Sequence, residues 1–336
     1  MLAVAAGVLL VASFAFAVLA LALRAGNDAR SRRTARLAGR WEPALLEVLA
    51  GAAPPEAIHE RVHRGDATLF LSFLLGYARR LRGEEQALVR AMARPYLPAV
   101  VPMTRRGTIE SRGNAVLVLA RMGLPRYAGV VASALDDESP VVAMIAARSL
   151  VRPGHEEHFP RVLAHLPRFA HWSRSLLSGM LAAGGALVAP LLREVLEDRG
   201  RDPLVRAVAS DALRELNDLP SVEVAERILP RESDREIVTG CLRILKQLGH
   251  ERHLPLVRGL VASLDPVVRA AAVSTLGAIG GKAEIPVLQA RLDDTSFWVS
   301  LEAARGLLAL GDYATLHRLA ASRGPWSTLA RQVLSE

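Results

Sequence analysis

Three His-Glu dipeptides, His59-Glu60, His155-Glu156 and His250-Glu251, are the pairs best equipped for chemistry in this chain of 336 residues. An imidazole beside a carboxylate offers the donors of a metal site or an acid–base pair. The second and third pairs lie 95 residues apart, each following a glycine, Gly154 or Gly249, that closes a helix. Stacked helical repeats separate them, so one metal ion cannot reach both. A second candidate is a row of arginines. Arg112, Arg174, Arg206 and Arg269 recur at one position of a repeating pattern. Such a row can meet phosphates or a partner protein. It can also be an inter-repeat ladder, each guanidinium paired with an Asp or a carbonyl of the neighbouring repeat. Asp211, Glu215 and Glu302 are interspersed on the same helices and favour the ladder. Cys241 is the one cysteine. A disulfide framework and a Cys-rich metal site are therefore excluded, and within IVTGCLRIL the thiol reads as a small buried hydrophobe. The sequence contains no phosphate-binding glycine loop, no GxSxG elbow and no HExxH. No catalytic residue, metal, cofactor or small-molecule substrate is expected.

The elements that would position these groups are helices. Apolar residues make up 51% of the chain but aromatics only 4%. Ala and Leu dominate, which favours closely packed helices over a β-sandwich. The net charge is +8, and Arg24, Arg30, Arg32, Arg33, Arg36 and Arg40 against Asp28 supply +5 of it. The basic balance is thus concentrated in one short segment.

That segment follows a predominantly apolar, uncharged run at residues 2–23. A helix of this length is about 33 Å long, enough for a hydrocarbon core of roughly 30 Å. The basic cluster on its carboxyl side predicts the N-terminus outside and the remaining chain in the cytoplasm, a single-pass arrangement at the inner membrane. The same arginines can contact anionic headgroups. Small-x-small sites at Ala15-Phe16-Ala17 and Ala20-Leu21-Ala22 raise the alternative of a cleaved signal peptide. The missing basic n-region, the length of the run and the arginines beyond it speak for an anchor.

Beyond residue 40 one pattern recurs. Ser139-Pro140, Asp202-Pro203 and Asp265-Pro266 each place a capping residue before a proline at the first helical position, 63 residues apart each time. Thr108 and Ser296 fit the same slot. Three residues after it comes the series Ser111, Val142, Ser173, Val205, Val238, Val268 and Val299, spaced by about 31. Gly123, Gly154, Gly184, Asn217, Gly249, Gly280 and Gly311 follow as residues that tolerate the left-handed conformation ending a helix. Val268, Ala272, Leu276 and Ile279 show the apolar step of three and four that marks one buried face. A second helix begins near Pro125, Pro160, Pro190, Pro220, Pro255 and Pro286. Each unit therefore reads helix, turn, helix. The expected organisation is a transmembrane helix at 2–23, a basic juxtamembrane segment at 24–40, divergent helical pairs at 41–104, repeats at 105–322 and a capping helix at 323–336.

The stretch Leu264-Asp265-Pro266-Val267-Val268-Arg269-Ala270-Ala271-Ala272, continuing through Leu276-Gly277-Ala278-Ile279-Gly280, resembles the short bacterial HEAT repeat, also called the PBS-lyase HEAT-like repeat. The resemblance extends over about residues 105 to 320. It implies an all-α solenoid of about 31-residue HEAT-like hairpins, a fold used mainly for protein binding. It also brings three enzyme-like branches into view. In the deoxyhypusine-hydroxylase-like group a His-Glu pair follows the Val-Arg position, a slot held here by Ala270, Ala207 and Ser175. Bilin lyases act on soluble antenna chemistry, which a bilayer anchor does not suit. HEAT-like DNA glycosylases use a basic groove, to which the arginine row would have to correspond.

Together these readings predict a membrane-tethered cytoplasmic scaffold or adaptor. Its partner would be a membrane-associated protein, held in a groove lined by the second helices, possible examples being enzymes of the envelope or of polysaccharide synthesis. The alternatives are a HEAT-type metal-dependent enzyme and a basic-groove binder of nucleic acid or lipid headgroups. Trp172, Trp298 and Trp326, near helix starts, read as packing residues or partner anchors.

Overall fold

The computed structural model describes residues 32–123, 125–152, 154–324 and 326–336. The span expected at 2–23, with Arg24 and Arg30, lies outside them. Among the described residues the regular structure is entirely helical, and no single helix is long and apolar enough to cross a membrane. The chain forms two compact units, divided between Ser149 and Leu150.

The first unit opens with helix α1 at 32–49, followed by α2 (Ala67–Ala78), α3 (Gly83–Ala93), α4 (Leu97–Val100), α5 (Ile109–Val118) and α6 (Ala128–Ser133). The boundary placed at residue 40 falls inside α1, so Arg32, Arg33, Arg36 and Arg40 belong to a folded helix. Arg33 donates to the Asp66 carboxylate at 2.7 Å, and Arg36 reaches the Arg32 carbonyl at 3.4 Å. Next to this polar strip Trp41 is fully buried. Its ring meets Phe70 edge-on at 5.2 Å, and its indole N–H donates to the Arg61 carbonyl at 3.1 Å. Phe70, Phe73, Tyr77 and Tyr96 extend this aromatic cluster. Large rings need space between helices that Ala and Val do not, which is why residues 41–104 depart from the repeat frame. Helix α7 (Pro140–Leu150) ends at the division between the units.

In the second unit two sets of helices alternate, a longer set of 9 to 14 residues and a shorter set of 5 to 9. The long ones are α9 (Arg174–Ala182), α11 (Pro203–Glu215), α13 (Arg235–Leu248), α15 (Pro266–Ile279) and α17 (Phe297–Ala309). Between them lie α8 (Phe159–His165), α10 (Ala189–Glu197), α12 (Ser221–Ile228), α14 (Leu254–Leu260), α16 (Ile285–Gln289) and α18 (Tyr313–Ala321). Successive long helices pack side by side, and α19 (Ser327–Leu334) closes against α17 and α18.

Side-chain caps set the start of α9, α11, α13 and α15, whereas Ser296 precedes α17 without a capping hydrogen bond. The Asp202 carboxylate accepts from Leu204 N–H at 2.8 Å, Asp234 from Glu236 at 2.9 Å, and Asp265 from Val267 at 2.8 Å. Each satisfies a backbone donor that the first helical turn leaves open. In α8, α10, α14 and α16 the periodic proline occupies the first turn, after a short 3-10 turn, where its missing N–H is not needed.

Two expectations change. Ser173 was placed three residues inside a helix but is the N-cap of α9, accepting from Leu176 N–H at 3.3 Å. That repeat is therefore offset, and Arg174 stands at its first helical position. The exit residues also divide. Gly154, Asn217 and Gly311 adopt positive φ of 88°, 53° and 79°, whereas Gly249 and Gly280 are extended. A Cβ at Gly249 would lie 2.4 Å from the Leu245 carbonyl oxygen. Glycine is needed there for close approach rather than for handedness.

The core sits between the long helices and their short partners. Cys241 lies in it, fully buried, and burial pushes its thiol up to about 12. Two interior glycines bring α15 and α17 unusually close. A Cβ on Gly277 would stand 2.5 Å from the Cα of Gly306.

Candidate partner-docking face

The four arginines separate by geometry. Arg112, Arg206 and Arg269 each stand four residues after an N-cap, whereas Arg174 stands one residue after Ser173. The first three share one arrangement. Arg112 donates to both oxygens of Asp137 at 2.8 and 2.9 Å and to the Gly107 carbonyl at 3.0 Å. Arg269 donates to both oxygens of Asp294 at 3.1 and 2.8 Å and to the Ser263 carbonyl at 2.8 Å. Arg206 donates to Glu232 at 2.7 Å and to the Leu196 carbonyl at 3.0 Å. The paired acid sits two residues before the next cap. It receives that cap's own N–H: Ser139 to Asp137 at 2.8 Å, Asp234 to Glu232 at 3.1 Å, Ser296 to Asp294 at 2.9 Å.

The electrostatics follow from these contacts. The Arg269 guanidinium holds the Asp294 carboxyl below its usual range, with the Ser296 N–H adding to the effect. Burial pushes Glu232 upward, but the N–H groups of Asp234 and Ser233 and the Arg206 charge outweigh it, and its carboxyl also titrates low. Side chains of Arg112, Asp137, Arg206 and Glu232 are nearly enclosed. Arg174 instead spans α9 to α11 and α13, donating to Asp211 at 2.6 Å and to Glu236.

The first His-Glu pair lies within a short 3-10 helix, and the other two each open one. His59 shares a hydrogen bond of 3.2 Å with the Met92 carbonyl and meets Tyr96 edge-on. Glu156 accepts from Gly154 N–H at 2.7 Å, which holds its carboxyl low. His250 stacks on His253 and gives its backbone N–H to that ring's Nδ1 at 3.0 Å. Among the described residues no three His, Cys, Asp or Glu side chains gather where they could hold a metal ion.

The open surface lies elsewhere. A hollow of about 410 Å³ is lined by Pro266, Val267, Ala270 and Ala271 of α15, by Trp298 of α17 and by Arg243 and Lys246 of α13. Trp298 is 66% exposed and Val267 45%. A smaller hollow of about 340 Å³ repeats the same positions on α11, where Pro203, Leu204 and Ala207 stand in the places of Pro266, Val267 and Ala270. Its far wall is Glu236, tied to Arg174. One repeat pair further along, Trp298 takes the position of Glu236, two residues after the cap. The two hollows therefore share a floor and differ in their walls, Arg174 paired with Glu236 in one, and an open indole with Arg243 and Lys246 in the other.

The long helices, which come first in each unit, line both hollows, where the groove was expected on the second helices. Of the long helices, α11 and α15 begin with proline and an apolar residue, and these residues line the two hollows. The three tryptophans also divide. Trp172 stacks flat on Phe169 and Trp326 on Phe297, whereas Trp298 faces solvent. The recurring Pro-apolar-x-x-Ala pattern at 203–207 and 266–270 was the signal in the sequence for these hollows.

Comparison with known proteins places this geometry. A family profile described as HEAT repeats matches residues 228–309, which hold α13 to α17 and the larger hollow. No curated protein matches significantly. Among solved structures, the karyopherin Kap121p bound to the extreme C-terminus of the protein phosphatase Cdc14p is similar at 12% identity and a TM-score of 0.39, over 81% of this chain and 41% of that one. This chain thus spans about two-fifths of the karyopherin's length. Human deoxyhypusine hydroxylase in complex with glycerol is similar at 20% identity and 0.33, over 85% and 99% of the two chains. The CpcE–CpcF complex of phycocyanin lyase from Nostoc sp. PCC7120 is similar at 17% identity and 0.29, over 82% and 93%.

Proposed function

We propose that this chain is a membrane-tethered scaffold whose long-helix face docks a partner protein, with no reaction of its own. The observation that carries the reading is the open hollow beside Trp298. A large, exposed indole over small apolar residues, rimmed by charge, is the composition of an interface anchor. Residues 2–23 would supply the tether, with Arg24, Arg30, Arg32, Arg33 and Arg36 near the headgroups and the repeats on the cytoplasmic side of the inner membrane. Tethering raises the effective concentration of partners in the same membrane, so a membrane-associated protein, such as an envelope or polysaccharide-synthesis enzyme, suits the arrangement. The ion-paired arginines Arg112, Arg206 and Arg269 act in this reading as rungs between repeats.

The test is Val267→Asp with Trp298→Asp in the full chain, expressed in its own cells. Both residues are exposed, so the fold survives the change. The scaffold reading expects a crosslinked partner to be captured by the unaltered chain and lost from the double variant. Equal capture by both chains contradicts it.

A further inference from the structure

The charges around the larger hollow identify what can enter it. Arg243 and Lys246 stand one helical turn apart on α13, so their side chains share a face. Among the described residues Arg243 makes no hydrogen bond, and its nearest carboxylate oxygen, on Asp211, is 3.6 Å away. A guanidinium carries five donors in a planar fork, so Arg243, which lines the hollow, has donors to spare for an incoming acceptor. Lys246 uses one donor on the Ser274 hydroxyl at 2.6 Å and stands 4.0 Å from Glu302. Glu302 is itself engaged, by the Ser274 hydroxyl and by Arg305 at 3.1 Å. The rim thus offers one cation held only by a loose ion pair to Asp211 and one partly hydrogen-bonded cation beside an acid that already has partners.

Resting on the docking reading above, we propose that the hollow between α13, α15 and α17 takes a partner peptide that seats one large apolar side chain against Val267 and Trp298 and sets a neighbouring Asp or Glu carboxylate on Arg243 and Lys246. Ala270, Ala271 and Ser274 leave room for the apolar group. The guanidinium fork matches a carboxylate with two parallel hydrogen bonds. Chains of phosphates fit poorly, because Glu302 lines the hollow and Asp211, on the adjoining α11, lies beside Arg243, so successive negative charges would meet acids there. One carboxylate is balanced by this rim, and a run of them is not.

The experiment is selection of random displayed dodecapeptides on the full chain held in detergent micelles. Three chains run in parallel: unaltered, Trp298→Asp, and Arg243→Glu with Lys246→Glu. Circular dichroism checks that each is folded. The expected result is enrichment of peptides with a large apolar residue and an Asp or Glu within one helical turn. Trp298→Asp abolishes their binding, and the double charge reversal weakens it by about tenfold or more, the equivalent of 1.4 kcal/mol, while selecting basic peptides in their place. Apolar peptides without carboxylates, lost on Trp298→Asp but indifferent to charge reversal, overturn the acidic requirement and leave the docking face standing. Enrichment that ignores Trp298, or single-stranded DNA or anionic vesicles binding in place of any peptide, overturns both.

Discussion

Arg206 and Glu232 show what an arginine can do when its partner is fixed in advance. The acid is held by the cap of the next helix, so the guanidinium meets a carboxylate whose position is already set, 2.7 Å away and nearly enclosed. Replacing Arg206 by Ala leaves that carboxylate buried and unpaired, a loss on the order of 3–5 kcal/mol. Urea unfolding followed by circular dichroism should show a midpoint shift of that size. The same geometry sets a pH dependence. Asp294 and Glu232 titrate below their unfolded values, so their contribution is full above the ordinary carboxylate range and is lost as pH falls through it. Thermal midpoints should hold steady above about pH 5 and drop below about pH 4. At Cys241 burial gives a different expectation. Its thiol, pushed up to about 12 and fully buried, should resist alkylation at pH 8 until denaturant opens the second unit. The arginine row looked uniform in the sequence because spacing alone was visible. Arg174 belongs elsewhere because Ser173 is a cap, and a serine serves equally well inside a helix or before it.

At the scale of the helix, most of what the sequence offered was correct because capping is local. Asp-Pro before an apolar period of three and four leaves few alternatives, and Asp202 and Asp265 cap α11 and α15 as expected. The exits were harder to read, since a glycine serves both a left-handed turn and a close contact. Gly311 does the first and Gly249 the second. The floor of the hollows left a pattern in the sequence, but the open wall at Trp298 was illegible for another reason. Whether Trp298 stacks like Trp172 or faces solvent depends on the residue opposite, one repeat away. Close helix packing yields its own prediction. Gly277→Ala drives a methyl group onto the backbone of Gly306, which cannot retreat without separating α15 from α17. The loss should be about 1–3 kcal/mol, read as a lower thermal midpoint, whereas Gly259→Ala, with open space around it, should leave the midpoint unchanged or slightly raised.

For the whole molecule, stability in a repeat stack is carried by each unit and its neighbours. Helix α19 buries Leu329, Ala330 and Val333, and its end is joined to α17 by the paired hydrogen bonds of Arg305 to Glu336 at 2.9 and 2.7 Å. Removing residues 326–336 should expose the last hairpin and lower the midpoint of the second unit. Because Phe297 would lose its stacking on Trp326, the hollow beside Trp298 should loosen as well.

The docking face is tested most directly by placing a photoreactive phenylalanine analogue at position 298 of the full chain in living cells, with position 187 as an equally exposed control. The account predicts a discrete crosslinked protein from position 298 and none from position 187. No adduct at 298, or the same adduct from both positions, would contradict it.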